Sequence, residues 1–389
     1  MKKSILFVID SLSSGGAEKS LVSLLSILDY KKFEVDLLMF SIDGLYLPLV
    51  PEEVNILEEL NYFKYNKGND KRNLRIEISK IKNSLLLRTP IYKKKYHSAQ
   101  IISKNIFKNL EKQRKKYDIA IAYSQGLPTY YVIDKVDANK KLSWINTDYK
   151  KAGYNTKFDV KYYEKYNYIV AVSEKNREVL EEVYPQFKYK IKVIYDIISP
   201  KLVIDMANKG KGYIDNFDGI RILTIGRHVH LKGYDMAIDA AKLLKESGVN
   251  FRWYSIGEGE LTNQLKKQVK DSGLEKEFIF LGTFTNPYPF VKQCDIYCQP
   301  SRFEGFGMAI AEAKILNKPI VVTNFDIVYD QIDNEINGII ADMNPDDISR
   351  AIINFINNSE KKGSILKNMQ RYNKQKKSSI DNFYNLILD

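Results

Sequence analysis

The chain has 389 residues, of which 44% are hydrophobic and 28% are charged, and its formal net charge is +12. This length exceeds one ordinary domain and suits two globular domains of roughly 150 to 200 residues each. No stretch approaches the ~20 apolar residues that span a bilayer, so we expect no membrane-spanning segment.

The first half alternates short apolar runs with longer amphipathic stretches, such as 18–28 and 175–183, which predict helices. The apolar runs predict buried parallel strands, at 5–9, 35–40, 119–123, 142–145, 168–172 and 191–194. The first run is too short for the core of a signal peptide and stops at Asp10. We therefore expect a cytoplasmic protein.

The segment 61–116 carries an excess of positive charge, with 17 Lys or Arg residues against 3 acidic residues. Within it, Leu74, Ile78, Ile81 and Leu85 follow the spacing of one helix face, and Lys80, Lys82 and Arg88 lie off that face. We favour a surface that contacts an anionic membrane. A solvated lysine-rich insertion is the simpler alternative. Nucleic acid is disfavoured because no nucleic-acid-binding motif accompanies the charge.

The second half restarts the same alternation, with helices predicted at 233–245, 260–270, 308–316 and 345–356. Its strands are predicted at 220–225, 251–256, 278–281, 295–299, 320–323 and 338–341. Alternation at this spacing predicts α/β domains whose parallel sheets are covered on both faces. Glycines and charged residues interrupt the periodicity within 199–219, where we place the domain boundary.

Two glycines, Gly15 and Gly16, follow the first predicted strand. They permit close backbone approach, and the helix that follows offers free amide groups to an anion. The loop lacks the GxGxxG pattern of dinucleotide-binding enzymes and the P-loop pattern. A plain tight turn is an equally good interpretation.

The segment GRHVHLKG, residues 226–233, directly follows a predicted strand. Arg227 and Lys232 bracket this loop, and two cations at the carboxyl end of a strand suit a diphosphate. The alternative is a pair of solvated surface cations. We interpret His228 and His230 as polar loop residues.

The segment SRFEGFGMAIAEA, residues 301–313, places two carboxylates on either side of a helix start. Glu304 lies in a glycine-flanked turn, and Glu312 lies about a turn and a half into the predicted helix. At the rise of a helix the eight residues between them cover ~12 Å, comparable with the reach from sugar to ribose in a sugar nucleotide. The helix start places free amides and a positive dipole end between them, which suits a diphosphate.

Taken together, these motifs resemble those of the retaining glycosyltransferases of the GT-B fold, and family 4 in particular. Glu304 and Glu312 match its E-x7-E pattern, and Arg227 and Lys232 match its GR-x4-KG pattern, in the family's order. The resemblance covers almost the whole second half and, more loosely, the first. It implies two Rossmann-like α/β domains whose parallel sheets face each other across a cleft.

The resemblance also implies roles for individual residues. Arg227 and Lys232 would bind the donor's diphosphate, Glu304 would contact the transferred sugar, and Glu312 would hold the ribose. The rest of the implied donor site comprises the glycine-rich loop, the ends of two strands and the backbone after the first carboxylate: Gly15, Gly16, Glu258, Thr283, Phe284, Gly305, Phe306, Gly307 and Met308.

Two positions depart from the family's pattern. Asn146 stands where many relatives place a His that contacts the sugar, and Asp196 stands where relatives usually have Asn. The amide of Asn146 can hydrogen-bond a sugar hydroxyl but cannot carry a proton at neutral pH. Asp148, two residues further on, is a candidate for orienting the acceptor. The resemblance implies no metal, and no two aspartates stand two apart to form a DxD metal motif.

From these observations we predict a retaining, metal-independent hexosyltransferase, catalysed through Glu304, Arg227, Lys232 and Asn146. Its donor would be a nucleotide-diphosphate sugar, with uridine favoured and no other cofactor. Its acceptor would be a lipid-linked or polymeric glycan of bacterial surface polysaccharide or glycolipid synthesis, at the inner membrane face. The alternatives are a non-catalytic GT-B partner of a true transferase and, less favoured, a UDP-sugar 2-epimerase.

The predicted domain organisation follows from the boundary and the motifs. Residues 1–198 would form the acceptor-binding domain, which includes the basic segment 61–116. Residues 199–370 would form the nucleotide-sugar-binding domain. Residues 371–389 would form a C-terminal helix that packs back on the first domain.

Overall fold

The computed structural model describes residues 2–13, 15–64, 74–375 and 379–388. The chain divides into two compact units, Met1–Ile197 with Ser378–Asp389, and Ile198–Lys377. Residues 65–73 of the basic segment lie outside the described ranges. Among the helices that are described, none has the length and apolar composition needed to cross a membrane.

The first unit is built on a seven-stranded parallel sheet. Its strands are β1 Lys3–Ile9, β2 Phe33–Met39, β3 Val54–Ile56, β4 Tyr117–Ala122, β5 Ala138–Ile145, β6 Tyr168–Ala171 and β7 Ile191–Val193. They lie in the order β3-β2-β1-β4-β5-β6-β7. The order reverses between β1 and β4, so the loops after these two strands flank the switch point of this sheet.

Helices cover this sheet because the apolar side chains of its strands point to both faces. They are α1 Gly16–Ile27, α2 Asn61–Lys64, α3 Leu74–Arg88, α4 Pro90–Lys95, α5 Ser98–Ile106, α6 Leu127–Lys135, α7 Thr156–Tyr163 and α8 Glu174–Val183. Side-chain caps fix several of their starts, as where Ser173 accepts a hydrogen bond from the Asn176 amide at the start of α8.

The second unit is built on a six-stranded parallel sheet. Its strands are β8 Ile220–Ile225, β9 Phe251–Ile256, β10 Phe278–Gly282, β11 Ile296–Gln299, β12 Ile320–Thr323 and β13 Ile339–Ala341. They lie in the order β10-β9-β8-β11-β12-β13, which reverses between β8 and β11. Separate apolar clusters cover the two faces of this sheet.

The helices of the second unit connect these strands and follow the last one. They are α9 Pro200–Ala207, α10 Tyr234–Glu246, α11 Thr262–Asp271, α12 Tyr288–Gln293, α13 Met308–Ile315, α14 Pro345–Asn357 and α15 Ser359–Gln375. Helix α9 occupies part of 199–219, where we placed the domain boundary and predicted no helix. Its polar N-cap Ser199 and its buried Val203 and Met206 explain why this segment is helical.

The last helix, α16 Ser379–Leu388, belongs to the first unit. Its buried Phe383 lies against Phe7 of β1 and Trp144 of β5, with ring centroids 6.4 and 6.1 Å apart. The Asp29 amide donates a hydrogen bond of 3.0 Å to the Tyr384 hydroxyl. The chain therefore leaves the second unit after α15, further along than the boundary expected at 370/371.

Candidate functional site

Two motifs identified in the sequence lie at the switch point of the second sheet. The loop 226–233 follows β8, and the loop 300–307 follows β11. These strands are neighbours and run parallel, so their following loops meet at one edge of the sheet. Ligands of parallel α/β sheets bind at such an edge.

Lys232 and Glu304 form an ion pair at this switch point. The Lys232 Nζ lies 2.7 and 2.6 Å from the two carboxylate oxygens of Glu304. The side chains are 22% and 8% exposed, respectively. The Ser301 hydroxyl donates a bond of 2.7 Å to the Glu304 Oε1, and the Gln299 Nε2 approaches the same atom at 3.3 Å. Glu304 is thus held in place by three side chains before any ligand binds.

A close contact between the two loops positions this pair. Gly233 adopts a left-handed conformation, with φ of 65°. A Cβ at that position would lie 1.8 Å from the Pro300 carbonyl oxygen, so only glycine fits without movement of the backbone. The Arg302 amide donates to the Leu231 carbonyl at 2.8 Å, and its guanidinium pairs with Asp235 through two contacts of 2.7 and 2.6 Å. The loops therefore form one rigid support.

Glu312 lies on α13 and is 1% exposed. The Tyr288 hydroxyl donates a hydrogen bond of 2.9 Å to its Oε1. The helix begins after Gly307, which has φ of 83°. The Gln331 amide nitrogen donates to the carbonyl oxygens of Phe306 and Gly307, which fixes the turn that precedes the helix. This turn presents the first N–H groups of α13, including that of Met308, beyond Gly305.

The remaining donor-site candidates of this unit lie at the same edge of the sheet. Arg227 follows β8, Glu258 follows β9, and Thr283 and Phe284 follow β10. Arg227 is exposed, and its side chain makes no ion pair or hydrogen bond with the residues that the structure describes. It is free to approach an anion. Phe284 is 37% exposed, and its ring packs on that of Phe290 at 4.7 Å.

His228 has a structural role. Its ring nitrogens lie 2.9 Å from the Thr262 hydroxyl and 2.8 Å from the Ser255 hydroxyl, and the residue is fully buried. Burial lowers the pKa of His228 to about 4, so the ring is neutral at physiological pH. This agrees with its interpretation as a polar loop residue.

A cavity of about 730 Å³ lies along the edge strand β10. Its lining includes Tyr213, Tyr254, Leu281, Phe284 and Phe290. Only Phe284 among the predicted site residues borders it. Lys232, Glu304 and the start of α13 lie at the switch point and do not line this cavity.

Four predicted residues lie in the first unit. Gly15 caps α1, and Gly16 begins it. The Asn146 Nδ2 donates to the Tyr123 carbonyl at 2.8 Å, while its Oδ1 is buried and without a hydrogen-bond partner among the described residues. The Asp148 Oδ1 accepts bonds of 3.0 and 3.1 Å from the two backbone amides that follow at 150 and 151, so this carboxylate stabilises a local turn.

Sequence reasoning missed several polar groups that complete these loops. Tyr288, Gln299 and Ser301 support the two carboxylates of the second unit. In the first unit, Asp10 follows β1, and its Oδ2 accepts a bond of 3.1 Å from Ser124, which follows β4. A search for polar residues directly after neighbouring strands would have found this pair. No group of three or more His, Cys, Asp or Glu residues suited to a metal ion occurs in the described ranges.

Residues 215–376, which include all the motifs of the second unit after β8, match the family described as Glycosyl transferases group 1. The match covers the second unit, so in this part of the chain the protein is similar to the glycosyl transferases group 1. This finding agrees with the resemblance predicted from Glu304, Glu312, Arg227 and Lys232.

Two curated relatives illustrate the range of similarity. An uncharacterized glycosyltransferase of Methanocaldococcus jannaschii is 27% identical over 209 residues, which is 53% of this chain and 54% of that protein. This chain thus spans about half of that relative. The N-acetylgalactosamine-N,N'-diacetylbacillosaminyl-diphospho-undecaprenol 4-alpha-N-acetylgalactosaminyltransferase of Campylobacter jejuni is 26% identical over 328 residues, covering 83% of this chain and 81% of that protein.

The fold also matches solved structures over its full length. The HepE protein of Anabaena, in complex with UDP-glucose, aligns with a TM-score of 0.71 over 99% of this chain and 98% of that chain, at 17% identity. Such a likeness establishes the fold. The predicted class, α/β with two Rossmann-like domains of the GT-B type, is therefore confirmed.

Proposed function

We propose that this group 1 glycosyltransferase moves a hexose or N-acetylhexosamine from a nucleotide-diphosphate sugar to a lipid-linked or polymeric glycan, with retention of anomeric configuration. The observation that carries this proposal is the Lys232–Glu304 pair at the switch point, with Arg227 and the start of α13 nearby in the fold. These groups supply positive charge for a diphosphate and a carboxylate for the sugar.

The comparisons support the choice of donor and acceptor. The HepE structure contains UDP-glucose, so a uridine diphosphate sugar is the donor we favour. The name of the Campylobacter jejuni relative describes an α-linked transfer to an undecaprenol-diphosphate-linked sugar. We therefore favour a polyprenyl-diphosphate-linked glycan as the acceptor.

The chemistry assigned to this chain is a front-face displacement. The bond between the anomeric carbon and the diphosphate breaks while the acceptor oxygen bonds to that carbon on the same face. The acceptor proton passes to a departing phosphate oxygen. Lys232, Arg227 and the first amides of α13 stabilise the negative charge that develops on the diphosphate. Glu304 positions the sugar and stabilises its oxocarbenium-like charge, and Glu312 holds the ribose.

The surroundings of the two carboxylates fit these roles. Glu304 pairs with the Lys232 ammonium. A diphosphate that binds the same ammonium would therefore lie next to the carboxylate that binds the sugar. Glu312 is fixed by the Tyr288 hydroxyl, so it presents a set geometry to the ribose hydroxyls. Neither role requires a metal ion or a cofactor other than the donor.

The test is a turnover assay with the full chain. The purified protein is incubated with UDP-glucose, UDP-galactose or their N-acetylated forms and with a synthetic polyprenyl-diphosphate N-acetylhexosamine. Released UDP is measured, and the linkage of the product is determined by NMR. We expect an α-linked product, and a loss of at least about 100-fold in turnover for Glu304→Gln.

Other results would favour the alternatives. Conversion of the donor sugar to its 2-epimer with no acceptor present would indicate a 2-epimerase. Binding of UDP without turnover of any donor would indicate a non-catalytic partner subunit, in line with the amide of Asn146. A β-linked product would overturn the retaining mechanism.

A further inference from the structure

Helix α3, Leu74–Arg88, presents a row of apolar side chains to solvent. Four of them lie along one side of the helix and are 62 to 64% exposed: Leu74, Ile78, Ile81 and Leu85. At the rise of a helix this row is ~16 Å long. Ile91 of α4 is 76% exposed and adds a fifth aliphatic side chain. Scattered exposed apolar residues are ordinary on protein surfaces, but a continuous row of this kind marks an interaction surface.

The opposite side of α3 is buried and carries both apolar and polar residues. Ile76, Ser79 and Asn83 are 5, 6 and 7% exposed. The Ser79 hydroxyl donates to the Asn105 carbonyl at 3.2 Å, and the Asn105 amide donates to the Asn83 Oδ1 at 2.9 Å. The helix is therefore fixed to α5 through hydrogen bonds, and its apolar row is turned away from the protein. An ordinary surface helix would bury such a row.

Positive side chains flank the apolar row. Lys82 and Arg88 of α3 and Lys94 and Lys95 of α4 are exposed. The segment 61–116 to which both helices belong has 17 basic and 3 acidic residues. An aliphatic row bordered by cations has the character of a helix that lies at the surface of an anionic bilayer.

We propose that α3 and α4 form a docking surface for anionic lipid membranes. The side chains of Ile78, Ile81 and their neighbours in the row enter the boundary between head groups and acyl chains, and Lys82 and Arg88 contact lipid phosphates. A second copy of the chain is disfavoured as the occupant, because pairing two such surfaces brings like charges together. Nucleic acid is disfavoured, because the exposed row is aliphatic and offers no rings for base stacking.

The surface concerns where the protein works and does not depend on which sugar it transfers. It extends the proposed function in one respect: an acceptor with a polyprenyl anchor lies in a bilayer, and a docked protein would meet it there. Membrane binding is measured without any donor or acceptor, so a failure of the transferase assay leaves this proposal intact, and the reverse also holds.

The first experiment measures flotation of the full chain with vesicles. We expect binding to vesicles of equal parts phosphatidylcholine and phosphatidylglycerol and little binding to pure phosphatidylcholine. The double variant Ile78→Ser/Ile81→Ser should bind at least about tenfold more weakly. Its matched control is Ile214→Ser/Ile336→Ser, because those isoleucines are 90 and 52% exposed in the other unit. The control should bind like the parent.

The contribution of positive charge to vesicle binding is tested with two matched double variants. Lys82→Glu/Arg88→Glu and Lys267→Glu/Lys270→Glu change the net charge by the same amount, but only the first pair flanks the apolar row. We expect a loss of vesicle binding only for the first. Equal losses for both would mean that net charge alone drives adsorption, and would overturn the proposed surface.

Insertion itself is tested with an added fluorophore. Ile81→Trp should shift its emission to shorter wavelength with the anionic vesicles, whereas Ile214→Trp should not. Absence of the shift would overturn insertion of the apolar row. Sedimentation of the parent without lipid tests whether a second copy of the chain occupies this surface. A dimer that Ile78→Ser/Ile81→Ser abolishes, with vesicle binding unchanged, would assign the surface to self-association.

Discussion

Replacing Lys232 by Met removes the cation that both oxygens of Glu304 contact, while keeping a side chain of similar length. Removing one partner of a buried ion pair costs about 3–5 kcal/mol, because the other charge remains buried and unpaired. Here Ser301 and Gln299 still donate to the Glu304 Oε1, and the lysine side chain is 22% exposed, so water can enter. We therefore expect a cost below this range, about 2–3 kcal/mol.

The reverse change, Glu304→Gln, should cost less. It leaves the ammonium of Lys232 with access to water, and we expect a loss of about 1–2 kcal/mol. The double variant should lose less than the sum of the two single variants, with a coupling energy of about 1–2 kcal/mol.

The assay uses the position of the two tryptophans. Trp144 lies in β5 of the first unit and Trp253 in β9 of the second, and they are the two tryptophans of the chain. In a Trp144→Phe background, urea unfolding followed by tryptophan emission reports on the second unit. A coupling energy near zero, or a Lys232→Met variant as stable as its parent, would refute the ion pair described above.

Three further predictions follow from individual contacts. Burial raises the pKa of Asp196 from 3.8 to about 7, so the folded state binds this proton more tightly than the unfolded state, and stability falls as pH rises from about 4 to 7. Asp196→Asn should therefore be more stable than the parent by up to about 4 kcal/mol at pH 8 and by up to about 1.5 kcal/mol at pH 5. Urea unfolding followed through Trp144 in a Trp253→Phe background checks this. Gly233→Ala should destabilise the second unit by about 3 kcal/mol or more, since its Cβ meets the Pro300 carbonyl; a parent-like urea midpoint would contradict this. Tyr288→Phe should weaken UDP binding about three- to tenfold by releasing Glu312, and unchanged calorimetric affinity would show that Glu312 does not hold the ribose.

Much of the fold follows from local sequence patterns. Each predicted strand is present in the structure, because runs such as 220–225 and 251–256 are apolar on both faces and therefore predict buried parallel strands. The strand β3 was missed because it has three residues and only Val54 is buried. Helix α9 was missed because it is short and the glycines that follow it interrupt the periodicity within 199–219.

The residues of the candidate site could be predicted from the sequence, but the contacts between them could not. The positions of Glu304 and Lys232 follow from their motifs, but their direct pairing depends on β8 and β11 being neighbours, which no local pattern encodes. The same holds for α3. Its periodicity predicts one apolar face, and ordinary packing would bury that face. The buried side combines Ile76, which packs in the core of the first unit, with Ser79 and Asn83, whose polar groups are satisfied by Asn105 and Tyr62.

The measurement that tests the central claim most directly is calorimetric binding of UDP to the parent chain and to Arg227→Gln. Arg227 is exposed and its side chain has no partner among the described residues, so its replacement should leave the melting temperature unchanged. If the switch point of the second sheet binds the diphosphate, the variant should bind UDP at least about tenfold more weakly. Equal affinity for UDP in the two proteins, at equal stability, would contradict a donor site at this position.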